Sequence, residues 1–95
     1  MFLEIVTPEA VIFNSDVDAV TVPGVDGEFQ MLNNHAPIVS LLKEGNVKIR
    51  LSSSQEEIEL PDNLKRSDDD KSVLLFPISS GTIELNENKI IILAD

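Results

Sequence analysis

Pro23-Gly24-Val25-Asp26-Gly27-Glu28-Phe29-Gln30-Met31-Leu32-Asn33-Asn34-His35-Ala36-Pro37 is the stretch from which the fold can be read, because nearly every residue in it bends the backbone or is placed by a bend. Pro23-Gly24 suits the centre of a type II turn. Asp26 ahead of Gly27 suits a tight turn in which glycine takes a conformation that side chains resist. Residues 28–32 then read as a strand. Asn33 and Asn34 tolerate left-handed backbone, and Pro37 keeps Ala36 out of the helical region, so His35 is displayed on a second rigid loop. The plain reading is an ordinary hairpin with an exposed histidine. The functional one is a surface built for presentation.

On either side of this hairpin the dominant period is two, the mark of half-buried strands. Val47, Ile49 and Leu51 alternate with Lys48 and Arg50, Ile58 and Leu60 with Glu57 and Glu59, and Ile83 and Leu85 with Thr82 and Glu84. Residues 2–7, 11–14, 17–22, 38–42, 73–76 and 89–93 complete the strands, and no segment carries a helical stripe. Turn signals at Asn14-Ser15-Asp16, Glu44-Gly45-Asn46, Ser52-Ser53-Ser54-Gln55, Ser79-Ser80-Gly81 and Asn86-Glu87-Asn88 separate them. The pattern predicts an all-β chain, an antiparallel β-sandwich of about ten strands with Val47, Ile49, Leu51, Ile83, Leu85 and Ile92 pointing inwards. Ile90-Ile91-Ile92-Leu93 and Val73-Leu74-Leu75-Phe76 are apolar on both faces. Either a partner covers part of the outer surface or these strands lie at a sheet centre under loops.

Residues 61–72 have no period and dense charge, which predicts an exposed, mobile loop that tolerates shortening. Asp68-Asp69-Asp70 lacks the alternating ligands, central glycine and closing glutamate of a calcium loop, so a solvated loop tip is expected there and no metal.

A chain of 95 residues has a thin core, burying about 60 to 68% of its unfolded surface, and the absence of cysteine removes disulfides and thiolate metal sites as support. Seven Lys and Arg against 17 Asp and Glu give a net charge of −10, which makes nucleic acid and anionic lipid poor partners and a basic protein surface a good one. The apolar runs are far shorter than the roughly 20 residues of a membrane helix, so membrane association is expected only through other proteins. His35 is the single histidine, with Glu28 its only attractive carboxylate companion for acid–base chemistry. There is no glycine-rich phosphate loop followed by lysine, and four Phe without Trp or Tyr leave little with which to stack bases or sugars. No catalytic residue and no cofactor are expected.

Four segments, Phe2-Leu3-Glu4-Ile5-Val6-Thr7-Pro8-Glu9, Val20-Thr21-Val22-Pro23-Gly24-Val25-Asp26-Gly27-Glu28, Asn33-Asn34-His35-Ala36-Pro37-Ile38-Val39 and Ile90-Ile91-Ile92-Leu93-Ala94-Asp95, resemble in order the epsilon subunit of rotary proton-translocating ATP synthases. The resemblance covers residues 1 to about 52 and about 76 to 95. It implies one epsilon-type N-terminal sandwich domain over residues 1–95, divergent at about 61–72, where the family's hairpin is shorter. It further implies a non-catalytic central-stalk subunit of the rotor that couples rotation of the c-subunit ring to ATP synthesis in the catalytic hexamer. One sheet would pack on the gamma subunit. One end of the sandwich, carrying Asp26, Gly27, Glu28, Phe29, Asn34 and His35, would contact the ring, with Pro23, Gly24 and Pro37 shaping the turns. The complex would be peripheral at the cytoplasmic face of the cell (inner) membrane. Family members commonly continue into a two-helix segment, and this chain is expected to lack that hairpin. A free-standing sandwich that recognises a protein or carbohydrate is the alternative reading.

Overall fold

Strand β2 (Val11–Gly24) is 14 residues long and touches more of the chain than any other element. In the computed structural model, which describes residues 1–52 and 60–95, its first half pairs antiparallel with β1 (Phe2–Val6), from Phe2↔Asp16 to Val6↔Val11. Its second half pairs on one side with β3 (Gly27–Leu32) and on the other with β5 (Gly45–Leu51). Its last residue, Gly24, meets Leu42 of β4 (Ile38–Leu42).

The remaining described strands are β6 (Lys65–Arg66), β7 (Val73–Ile78), β8 (Gly81–Asn86) and β9 (Lys89–Ala94). One layer is β3-β2-β5-β7-β6. The other runs β1-β9-β8-β4 and returns to β2 at both ends, so β2 belongs to both. Among the described strands all pairings are antiparallel except β1 with β9, which is parallel from Phe2↔Lys89 to Val6↔Leu93. This departs from the purely antiparallel expectation, and it follows from β1, β9, β8, β4 and β2 closing a ring of five strands, an odd number that cannot alternate in direction throughout.

A single strand serves two layers because it carries a bulge. Val17 pairs with Leu51 and Ala19 with Arg50, so Asp18 is an extra residue with no partner. The inward phase changes across it: Phe13, Ser15 and Val17 are buried before the bulge, Val20 and Val22 after it. An unpaired residue of this kind bends the strand and increases its twist, which redirects β2 from one layer to the other.

This explains why residues 11–14 and 17–22 are one strand and not two. Asn14, Ser15 and Asp16 look like a turn in composition, yet Asn14 and Asp16 face solvent while the small Ser15 faces in and donates its hydroxyl to the Asp16 carbonyl. Pro23 and Gly24 are likewise the end of β2 and not the centre of a turn. The β5 ladder has already stopped at Thr21↔Lys48, so the missing N–H of Pro23 breaks no ladder bond there. The turn is the two-residue loop Val25-Asp26 between Gly24 and Gly27.

The core lies between the layers, and Val47, Ile49, Leu51, Ile83, Leu85 and Ile92 are all in it, as their alternation predicts. Nine strands are described where about ten are expected. The expected strand at Ile58 lies outside the described residues, although Leu60 packs against the core. No helix among the described residues is long and apolar enough to cross a membrane.

Residues 61–72 are only in part the exposed loop that their charge suggests: Asp62, Asn63, Asp68, Asp69 and Lys71 are exposed, but the segment is anchored. Leu64 is only 3% exposed and joins the core, and β6 adds to the edge of β7 through Lys65↔Leu75 and Arg66↔Leu74. Beyond β6 the chain is pinned again. The Asp70 carboxylate accepts from the Ser72 hydroxyl at 2.6 Å, the Ser72 backbone N–H at 2.9 Å and the Arg50 guanidinium at 3.1 Å. The two Ser72 hydrogen bonds and then Arg50 hold the Asp70 carboxyl below the usual carboxylate range.

Two outcomes are expected. Leu64→Ala removes a buried apolar side chain and is expected to destabilise the domain by about 2 to 5 kcal/mol, measured by urea unfolding, with deletion of residues 61–72 more damaging still. Unchanged stability in either would show that the segment does not pack. Asp70 contributes stability that is present above its unfolded pKa of about 3.9 and lost as pH falls through its lower folded value. The difference in melting temperature between wild type and Asp70→Asn is therefore expected to be present at neutral pH and to vanish in strong acid. A difference independent of pH would place its cause outside the carboxylate.

Candidate functional site

Gly24 sits where the β2–β3 hairpin is narrowest: a Cβ there would lie 2.7 Å from the Gly27 carbonyl oxygen and 2.8 Å from the Phe29 ring. Gly27 has φ 132°, which side chains rarely adopt. These two positions project Asp26 and Glu28 into solvent. The carboxylate of Glu28 lies 3.6 Å from Lys48 Nζ on the neighbouring strand but one, with both side chains about half exposed. Next along β3, the Gln30 amide donates to the Thr21 hydroxyl at 3.3 Å. Phe29 is different from its neighbours. It points inwards against Gly24 and packs on the core, so it supports the turn.

The second loop begins where β3 ends. Asn34 has φ 65°, the left-handed conformation expected for it, and the His35 N–H closes the turn onto the Leu32 carbonyl at 3.1 Å. Two long-range bonds hold this turn. The Asn34 N–H donates to Asn88 Oδ1 at 2.9 Å, and the Met1 amino nitrogen donates to Asn33 Oδ1 at 2.8 Å. His35, Ala36 and Pro37 are exposed.

Asp26, Gly27 and Glu28 thus stand at one end of β3 and Asn34 and His35 at the other. Six residues of strand span about 17 Å, so Glu28 and His35 are out of hydrogen-bond reach and cannot share a proton. What joins them is the outward side of β3, where Glu28, Gln30 and Leu32 are all exposed. Among the described residues no group of three His, Cys, Asp or Glu is placed to hold a metal.

The opposite layer presents a different surface. Cross-strand pairing aligns Leu41, Thr82, Leu93 and Val6 in one row, and Val39, Glu84, Ile91 and Glu4 in the next. Val39 is 78% exposed, Leu41 61% and Leu93 52%. Leu41, Leu93, Val6 and Val25 line an open groove of about 640 Å³ beside this face. The two-faced apolarity of Ile90-Ile91-Ile92-Leu93 therefore shows here, while the outward Val73 and Leu75 are half-buried, with β6 paired beside them.

The sequence pattern marks none of Lys48, Asn88, Val39 and Leu41 as a contact residue. Alternation places Lys48 on an outward face and Asn88 in a turn, but only the strand register sets them beside Glu28 and Asn34.

Comparison with known proteins follows the same outline. The model of the ATP synthase delta/epsilon chain β-sandwich domain matches residues 1–61. The ATP synthase epsilon chain of Campylobacter concisus is 40% identical over 95 residues, covering all of this chain and 60% of that protein. That of Nitratiruptor is 44% identical over 87 residues, covering 92% and 54%. That of Chlorobium limicola is 37% identical over 93 residues, covering 98% and 86%. The chain therefore spans little more than half the length of the first two.

Two solved assemblies contain the same fold. One is the Euglena gracilis mitochondrial ATP synthase, OSCP/F1/c-ring (TM-score 0.74, 18% identity, 97% of this chain and 48% of that one). The other is the central stalk and c-ring of the Tetrahymena thermophila enzyme (TM-score 0.69, 16% identity, 98% and 61%). The fold and these sequence matches together show that the chain belongs to the ATP synthase delta/epsilon family and carries its β-sandwich domain.

Proposed function

We propose that this chain is a non-catalytic central-stalk subunit of a rotary ATP synthase, joining the c-subunit ring to the gamma subunit so that rotation of one turns the other. The observation that carries the reading is the division of its surface in a chain whose relatives are named ATP synthase epsilon chains. The outer face of β4, β8, β9 and β1 exposes Val39, Leu41 and Leu93 with Glu4 and Glu84 in the neighbouring row, whereas the β3 side exposes mainly polar and charged side chains, Glu28 and Gln30 among them. A subunit wedged between two others needs two unlike contact surfaces, and these are two.

The apolar face is the one suited to gamma. Val39, Leu41 and Leu93 are rigidly displayed by strands, so burying them costs little ordering entropy. The β3 side is suited to the polar loops of the ring. A contact that included both Glu28 and His35 would run lengthwise along β3 and not sit at one end of the sandwich. The net charge of −10 favours basic partner surfaces on both sides. Attachment through these surfaces holds the subunit at the membrane without inserting it. A closed ladder of strands suits torque transmission, because little rotation is lost to internal deformation.

The two surfaces are expected to fail separately. Val39→Asp and Leu41→Asp place charge on an exposed apolar face, leaving the isolated domain folded and weakening binding to gamma by roughly 30-fold or more each, as for a central interface residue. Glu28→Arg removes an exposed pair worth about 0 to 1 kcal/mol, so the domain stays folded, and it is expected to weaken ring attachment and proton coupling. Wild-type gamma affinity in both aspartate variants would rule out the apolar face. Wild-type coupling in Glu28→Arg would rule out the β3 side.

A further inference from the structure

Among the described residues, three non-glycine positions have positive φ: Asn34 at 65°, Glu87 at 49° and Asn88 at 62°. They are not scattered. Glu87 and Asn88 are the two-residue turn between β8 and β9, flanked by the Asn86↔Lys89 pair, and the Asn34 N–H bonds to Asn88 Oδ1 at 2.9 Å across 54 residues of sequence. Such backbone suits Asn but is costly for Glu, and glycine would serve the turn better. Strained positions persist where surrounding structure fixes them, and they gather where geometry matters.

His35 is the next residue after Asn34. Its Nδ1 lies 2.7 Å from the Ala36 carbonyl oxygen, which can only accept, so Nδ1 carries the proton. In the tautomer this contact selects, Nε2 is the acceptor nitrogen, and the side chain is exposed. Its direction is set by the turn, which Asn88 holds at the Asn34 amide and Met1 at the Asn33 side chain.

We propose that Asn88 is a positioning residue for the partner contact at His35: by holding the Asn34 amide it fixes the direction in which His35 Nε2 meets a hydrogen-bond donor of the partner, an amide or guanidinium N–H. This rests on the reading that the 33–37 loop faces the c-subunit ring. A turn-forming role alone would leave Asn88 replaceable by glycine without loss. A positioning role does not, because glycine keeps the backbone conformation and removes the acceptor.

The test compares Asn88→Gly, Asn88→Asp and His35→Ala for binding to the purified rotor of gamma subunit and c-ring, with melting temperature and amide exchange of the free chain. Asn88→Gly is expected to melt at or above the wild-type temperature, to speed exchange at the Asn34 amide, and to raise the dissociation constant about 3- to 10-fold, the worth of one hydrogen bond. Asn88→Asp keeps the acceptor and the left-handed tolerance, and is expected to bind within about 2-fold of wild type. Wild-type affinity in Asn88→Gly, with the Asn34 amide deprotected and His35→Ala still weakened, would overturn the positioning role and leave the ring-facing reading intact. Wild-type affinity in both Asn88→Gly and His35→Ala would overturn both.

Discussion

Asp18, the bulged residue in the middle of β2 with no cross-strand partner opposite it, lets a single strand serve two layers. Without the extra residue, Val20 and Val22 would share the outward phase of Asp16, and the second half of the strand would turn its valines to water. With it, both halves bury their apolar side chains against one core. The layers are therefore not two sheets laid together but one ladder folded over, closing through β1 on one side and through the Gly24↔Leu42 pair on the other. In a chain of 95 residues without cysteine, that continuity replaces the covalent staples small domains often need.

The same constraint organises the surfaces. Among the described strands β3 pairs with the shared β2 alone, and its turns are held by other parts of the molecule: by Gly24 at one end and by Asn88 at the other. The opposite layer has no such side strand. Its outer face is the backs of β4, β8, β9 and β1, where Val39, Leu41 and Leu93 are exposed. One polar edge and one apolar face result from the topology, and a subunit that links two different neighbours has a use for each.

What could be read from the residues was mostly what is local. Alternation at Val47-Lys48-Ile49-Arg50-Leu51 names the inward side chains without any knowledge of pairing, and Asn34 announces its left-handed turn. Non-local facts were hidden. Asn14-Ser15-Asp16 is polar at three consecutive positions and reads as a turn, although the middle residue is small enough to face the core. Leu64 is a lone apolar residue among charges, and nothing local says that it is buried. The parallel pairing of β1 with β9, the Glu28–Lys48 pair and the Asn34–Asn88 bond all depend on register between distant segments, which composition does not encode.

Because the chain has no cysteine, single cysteines report contacts cleanly, and cysteine cross-linking in the assembled synthase tests the two-surface account directly. A cysteine at Val39, on the apolar face, is expected to cross-link to the gamma subunit and not to the ring, while one at Gln30, midway along β3, is expected to cross-link to the ring and not to gamma. The reversed pattern, or both cysteines reacting with the same neighbour, would contradict the assignment of the apolar face to one partner and the polar edge to the other.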